Sequence, residues 1–160
     1  MNNNDILRRL RYTFYFTDDT MISLFAHVEQ TVTRAQISNW MKKDDDPDFE
    51  SLYDKDFSNF LNGLIIEKRG KKDDQIPVPE KTLTNNIIFR KLKIALNFQD
   101  DEILEVLSLT GFHFSKHELS AFFRNPSQSQ YRLCKDQVLR NFIHGLQIKY
   151  RKDTSVDETN

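Results

Sequence analysis

Two stretches of the chain, NNDILRRLRYTFYFTDD from Asn3 to Asp19 and NNIIFRKLKIALNFQDD from Asn85 to Asp101, are nearly the same and lie 82 positions apart. Sliding the sequence on itself by 82 places residues 3–71 over residues 85–153 without a gap. Identities include Asn3, Asn4, Ile6, Arg8, Leu10, Phe16, Asp18, Asp19, Ser38, Asp54, Asn59, Phe60, Gly63, Leu64 and Arg69. An ungapped match of this length, with its apolar phase kept, predicts a tandem duplication.

Four helices are predicted in each copy. The first covers residues 4–15 and 86–97, where apolar residues recur at helical spacing. The second starts at the Asp-Asp pair, whose charges suit the positive end of a helix. The predicted N-caps of these helices are Asn3, Asn85, Asp18 and Asp100.

The third helix is predicted to follow Thr33 and Ser115, each with a Gln or Glu three residues on, as in a capping box. The fourth is predicted over residues 52–69 and 134–151, with Phe60 and Phe142 facing inward.

A glycine recurs in the middle of the fourth helix, Gly63 in one copy and Gly145 in the other. Glycine there costs about 1 kcal/mol relative to alanine. The same cost in both copies predicts that another helix approaches closely at this point. That helix is either a neighbour in the same copy or the counterpart in the other copy.

These patterns predict an all-α protein made of two four-helix units, eight helices in total, with pseudo-two-fold symmetry. A single copy is small enough that burying surface against its twin should matter. The predicted segments are a first repeat at 3–71, a linker at 72–84, a second repeat at 85–153 and a polar tail at 154–160.

Net charge, cysteine content and the lengths of apolar runs exclude some classes of function. The net charge of −1 is far from the basic balance of a dedicated nucleic-acid binder. One cysteine, Cys134, allows no intramolecular disulfide and fits a reducing compartment. No signal peptide and no run of about 18 apolar residues is visible, so we expect a cytoplasmic protein without a membrane span.

The pattern N-N-x-I-x-R-[RK]-L-[RK], then F-x-x-D-D, then F-x-x-G-L closing each half, resembles the YehS-like bacterial family of uncharacterised proteins. The resemblance covers about residues 3–153. It implies two tandem helical domains of about 70 residues and a cytoplasmic location, and it brings no catalytic or binding residues with it.

Cations on the first helix are the strongest candidates for a binding site. Three positions carry positive charge in both copies, with an apolar or aromatic residue on the same outward face. The candidates are Arg8, Arg9, Arg11, Arg90, Lys91 and Lys93, flanked by Tyr12 and Ile94. They could contact phosphate or an acidic protein surface. Alternatively they form a solvated face paired with acids such as Asp18 and Asp19.

Helices 2 and 3 admit a helix-turn-helix interpretation, although the connection is longer than the usual turn of three to four residues. Charge also differs between the copies. Residues 3–71 carry 10 basic and 12 acidic side chains, a net −2, whereas residues 85–153 carry 11 and 7, a net +4. This difference could orient a partner, or it could let the first repeat of one molecule bind the second repeat of another.

No pattern predicts catalysis, a metal or a cofactor. The acidic loop at residues 44–50 lacks EF-hand spacing, and His113 and His117 lack the context of a zinc site. Cys134 aligns with Leu52, which indicates a small buried hydrophobe.

We therefore expect a non-catalytic cytosolic binding or adaptor protein with a protein partner. It would use the repeated basic faces of the first helix or a groove between the repeats. The alternative is a nucleic-acid-binding protein that uses the first or third helix.

Overall fold

The computed structural model describes residues 1–151 and contains eight helices and no strand in that range. The chain divides into two compact units, one ending at Leu83 and the other beginning at Thr84. The first contains α1 (Asn3–Phe14), α2 (Asp18–Ala26), α3 (Arg34–Met41) and α4 (Asp54–Arg69). The second contains α5 (Asn85–Leu96), α6 (Asp100–Ser108), α7 (Lys116–Ala121) and α8 (Asp136–Tyr150). The all-α class and the duplicated four-helix unit are confirmed.

Residues 72–83 lie in the first unit, where hydrogen bonds join them to α4. The amide of Glu80 donates to the hydroxyl of Ser58, and the amide of Leu83 donates to Asp54. The predicted polar tail at 154–160, and residues 152–153 of the predicted second repeat, lie outside the described residues.

The first and second helices of each unit begin one residue earlier than their predicted caps imply. Asn2 and Thr84 cap α1 and α5, so Asn3 and Asn85 are the first helical residues rather than the caps. Thr17 and Gln99, which precede the two Asp-Asp pairs, are the N-caps of α2 and α6. The prediction that Asp18 and Asp100 are the caps is therefore wrong. The carboxylates of Asp18 and Asp100 are therefore available for contacts with other side chains. The capping boxes at Thr33 and Ser115 are confirmed.

The side chains of Asn4 and Asn86 anchor the segment between the third and fourth helices of their units. Both asparagines are buried, at 2% and 5% exposure. The Asn4 amide nitrogen donates to the carbonyls of Trp40 (3.0 Å) and Glu50 (2.9 Å), and its oxygen accepts the Leu52 amide (3.0 Å). Three backbone groups are thus satisfied by one side chain, as burial requires.

Asn86 repeats this arrangement in the second unit. It donates to the carbonyls of Phe122 (3.0 Å) and Arg132 (2.7 Å) and accepts the Cys134 amide (2.9 Å). The preceding asparagine, Asn3 or Asn85, donates to the carbonyl of Leu52 or Cys134 at 3.0 Å.

These bonds explain why the fourth helix starts later than predicted. Leu52 and Cys134 are held through both their amide and their carbonyl by asparagine side chains. The helices therefore begin at Asp54 and Asp136 instead.

The mid-helix glycines lie where the second helix of the same unit crosses the fourth. A Cβ added to Gly63 would lie under 3.0 Å from the carbonyl oxygen of Leu24 in α2, and one added to Gly145 would also lie under 3.0 Å from the carbonyl oxygen of Val106 in α6. The predicted close approach is confirmed, and the neighbour belongs to the same copy.

The core of each unit surrounds one phenylalanine of the fourth helix. Phe60 and Phe142 are both fully buried. Phe60 meets Phe16 edge-on at a centroid distance of 6.4 Å, and Phe142 meets Phe98 at the same distance. Because Phe16 and Phe98 are equivalent in the repeat, the two cores share this contact.

Candidate functional site

Several of the predicted cations make contacts inside their own unit. Arg8 donates to the carbonyl of Lys42, just after α3, at 2.7 Å. Arg90 donates to the carbonyl of Phe123, just after α7, at the same distance. Each arginine therefore ties the first helix of its unit to the end of the third. Arg8 is also paired with Asp5 on its own helix.

The third cation of each set pairs with the first acid of the Asp-Asp motif. Arg11 lies 2.8 Å from Asp18, and Lys93 lies 3.5 Å from Asp100. The Lys93 ammonium also lies 4.5 Å from the centre of the Phe123 ring. The two ion pairs link the first and second helices, so part of this positive charge is balanced locally.

The second acid of each motif pairs with the start of the third helix. Asp19 contacts Arg34, and Asp101 contacts Lys116 at 3.0 Å. Sequence reasoning assigned these acids to helix ends and missed the pairs. The signal was present, because a basic residue stands at position 34 and again at the equivalent position 116.

The first helix of each unit also exposes one apolar or aromatic side chain among its cations, at equivalent positions of the two repeats. Tyr12 is 50% exposed and Ile94 is 44% exposed, and both lie near the end of their helix. Arg9 and Lys91, half-buried, stand three residues earlier and so on the same side. We call Arg8, Arg9 and Tyr12 the α1 surface, and Arg90, Lys91 and Ile94 the α5 surface.

The helix-turn-helix alternative meets an unfavourable geometry. Seven residues separate Ala26, the end of α2, from Arg34, the start of α3, compared with the usual turn of three to four residues. The corresponding helix of the second unit, α7, has only 6 residues.

A polar cleft of about 300 Å³ lies between α7 and the loop that follows it. Its lining residues are His117, Glu118, Ala121, Ser129, Gln130, Tyr131 and Arg132. The backbone N–H and the hydroxyl of Ser115, helped by the charges of Arg132 and His117, hold the pKa of Glu118 below its usual value. Sequence reasoning did not predict this cleft.

Cys134 belongs to the anchored segment, and its side chain is buried, as its alignment with Leu52 predicts. Burial raises the pKa of its thiol to about 12. Since the thiolate is the nucleophile, a thiol with this pKa is inert at neutral pH.

We expect Cys134 to resist alkylation by iodoacetamide at pH 8 in the native protein and to react readily in urea. With a pKa of about 12, roughly one thiol in ten thousand is ionised at pH 8, and burial blocks access as well. Mass spectrometry of timed samples measures the labelled fraction. Labelling of the native protein at the rate seen in urea would contradict the burial of this side chain.

Comparison with known proteins agrees with the internal repeat. The model of a family described as a protein of unknown function, DUF1456, matches residues 3–70 and again residues 85–152. The chain belongs to the DUF1456 family. A relative named Uncharacterized protein YehS, from Escherichia coli (strain K12), is 40% identical over 148 residues, which are 91% of this chain and 94% of YehS. The resemblance to YehS-like proteins is therefore confirmed.

No solved structure matches this DUF1456 chain. Across residues 1–151, none of the helices combines the length and apolar character needed to cross a membrane.

Proposed function

We propose that this DUF1456 protein is a non-catalytic binding protein that contacts a protein partner through its α1 and α5 surfaces. One observation carries the proposal: Tyr12 and Ile94 expose about half of their area at the same position of the two repeats. Tyrosine and arginine are typical of the residues that dominate binding at protein interfaces, and an exposed aliphatic side chain adds apolar contact area.

The contacts around these residues support a preformed surface. Arg8 and Arg90 are fixed to the ends of α3 and α7. A partner would therefore meet side chains that are already ordered, and it would lose less conformational entropy on binding.

The same contacts favour protein over nucleic acid. Arg11 and Lys93 face Asp18 and Asp100 at 2.8 and 3.5 Å, so part of the positive charge that would attract phosphate is balanced. Non-specific nucleic-acid binding depends on exactly such charge and falls steeply with salt.

We expect the double substitution Tyr12→Asp with Ile94→Asp to weaken partner binding at least tenfold, since it places charge at the centre of both surfaces. The partner is first recovered from nuclease-treated lysate, then purified and titrated against the protein by calorimetry. A control with the same change in net charge is Ser38→Asp with Gln137→Asp, at exposed positions that belong to neither surface.

Two outcomes would contradict the proposal. One is a partner whose affinity is unchanged by the Tyr12 and Ile94 substitutions. The other is binding of RNA or DNA at low salt that is lost in Arg9→Ala with Lys91→Ala, which would support the nucleic-acid alternative.

A further inference from the structure

The loop after the third helix has opposite charge in the two units. Residues 42–50 carry two lysines and five acids, a net −3, whereas the equivalent residues 124–132 carry two arginines and no acid, a net +2. The polar cleft described above lies against the second of these loops.

Backbone and side-chain bonds hold this loop in a defined shape. The amide of Arg132 donates to the carbonyl of Ala121 at 3.1 Å, and its own carbonyl accepts the Asn86 side chain at 2.7 Å. At the far end, the oxygen of Asn125 accepts the Ser127 amide at 2.9 Å. The cleft is thus built on an anchored loop, which suits recognition because little order is lost on binding.

The groups that line the cleft are mostly hydrogen-bond donors. Arg132 carries positive charge, and His117, Ser129, Gln130 and Tyr131 can donate from a ring nitrogen, a hydroxyl or an amide. The single acid, Glu118, already accepts the Ser115 amide at 3.0 Å within its capping box.

We propose that this cleft binds an acidic peptide segment of a partner protein, with a carboxylate seated between His117 and Arg132. Arginine recognises carboxylates through paired hydrogen bonds, and the loop at residues 124–132 carries no acid, so Glu118 is the one carboxylate in the lining of the cleft. The cleft is open and lies at the lower end of the ~300–1,000 Å³ range of small-molecule pockets, so it fits side chains of an extended segment better than an enclosed ligand.

The first unit supplies a natural comparison. Ala35 stands where the cleft has His117, and Glu50 stands where it has Arg132. Binding of an acidic segment is therefore confined to the second unit. This surface is distinct from the α1 and α5 surfaces, so the proposal stands independently of the proposed function.

The test uses the whole chain and a fluorescein-labelled acidic probe, the peptide DDDPDFE with the sequence of residues 44–50, and the amide form NNNPNFQ as the neutral peptide. Fluorescence anisotropy at low salt measures binding, and amide shifts in the NMR spectrum locate it. We expect the acidic peptide to bind at least tenfold more tightly than the neutral one. The shifts should be confined to residues 117–121 and 129–132.

We expect His117→Ala with Arg132→Glu, which installs the residues of the first unit, to weaken acidic-peptide binding at least tenfold. The backbone bonds of Arg132 do not depend on its side chain. Arg140→Glu, an exposed position on α8, makes the same change in net charge and should leave binding within twofold of the unchanged protein.

Equal binding of both peptides would overturn the proposal, as would shifts elsewhere or a double substitution with no effect. Binding of inorganic phosphate at the cleft without binding of the peptide would also overturn it. Tyr12→Asp with Ile94→Asp should leave peptide binding unchanged, which separates a failure here from a failure of the α1 and α5 surfaces.

Discussion

Replacing Asn4 or Asn86 with alanine is expected to destabilise the unit that contains it by about 3 kcal/mol. Each substitution leaves three backbone groups without their side-chain partner, two carbonyls and one amide. An unsatisfied buried polar group costs about 1–3 kcal/mol, and the second carbonyl in each set is only partly buried.

The chain contains a separate reporter for each unit. Trp40, the single tryptophan, reports unfolding of the first unit by its fluorescence in urea. Cys134, the single cysteine, reports opening of the second unit by its rate of alkylation. We expect Asn4→Ala to lower the urea midpoint of Trp40 and Asn86→Ala to accelerate labelling of Cys134.

Asn141→Ala is the matched control for these substitutions. Its side chain donates only to the carbonyl of Gln137, one turn earlier on the same helix. We expect a change below about 0.5 kcal/mol. If Asn4→Ala were as mild as this control, the three-bond anchor would not contribute to the stability of the unit.

Replacing Gly63 or Gly145 with alanine is expected to destabilise its unit by about 3 kcal/mol, although alanine is the better helix former. The new methyl group would lie under 3.0 Å from the backbone carbonyl of Leu24 or Val106. A backbone carbonyl within a helix cannot rotate away as a long side chain could. The two helices must therefore separate, and their buried contacts are lost.

Urea titration and Cys134 labelling measure these changes in the first and second units respectively. Lys68→Ala on α4 and His144→Ala on α8 are exposed helical controls. Both controls should change stability by less than about 0.5 kcal/mol. A Gly63→Ala protein as stable as the Lys68→Ala protein would mean that α2 and α4 are farther apart than the structure shows.

Periodicity and the internal repeat were sufficient to predict the helices and the duplication. Apolar spacing depends on residues within one or two turns of the helix, and the second repeat shows each pattern again. The mid-helix glycines were informative for the same reason, because Gly63 and Gly145 carry the same local cost in both copies.

The asparagine anchors could not be predicted in detail, because their partners are distant in sequence. Asn4 binds backbone groups 36, 46 and 48 residues away. A signal was nevertheless present: asparagine stands beside the buried face of the first helical turn in both copies, and a buried amide requires partners. The side chain was interpreted only as part of a helix start.

The cations show a related limit. Sequence spacing placed Arg8 and Arg11 on the outward side of α1, but it could not show that Lys42 and Asp18 come within hydrogen-bonding distance of them. The binding role of the six cations therefore stays a prediction. What the two repeats share is that the first and third cation of each set contact other residues of the same unit. The cleft in the second unit is lined by residues that differ between the repeats, so comparison of the repeats could not predict it.

Amide hydrogen exchange at Leu52 and Cys134 tests most directly whether one helical module, held by the same asparagine anchor, occurs twice in this chain. Both amides lie outside the helices and donate to an asparagine side chain, at 3.0 Å and 2.9 Å. We predict that both exchange as slowly as amides in the middle of α4 and α8, and that Asn4→Ala and Asn86→Ala abolish the protection at Leu52 and Cys134 respectively. Rapid exchange of either amide in the unsubstituted protein, at the rate of an exposed loop, would contradict the shared anchor.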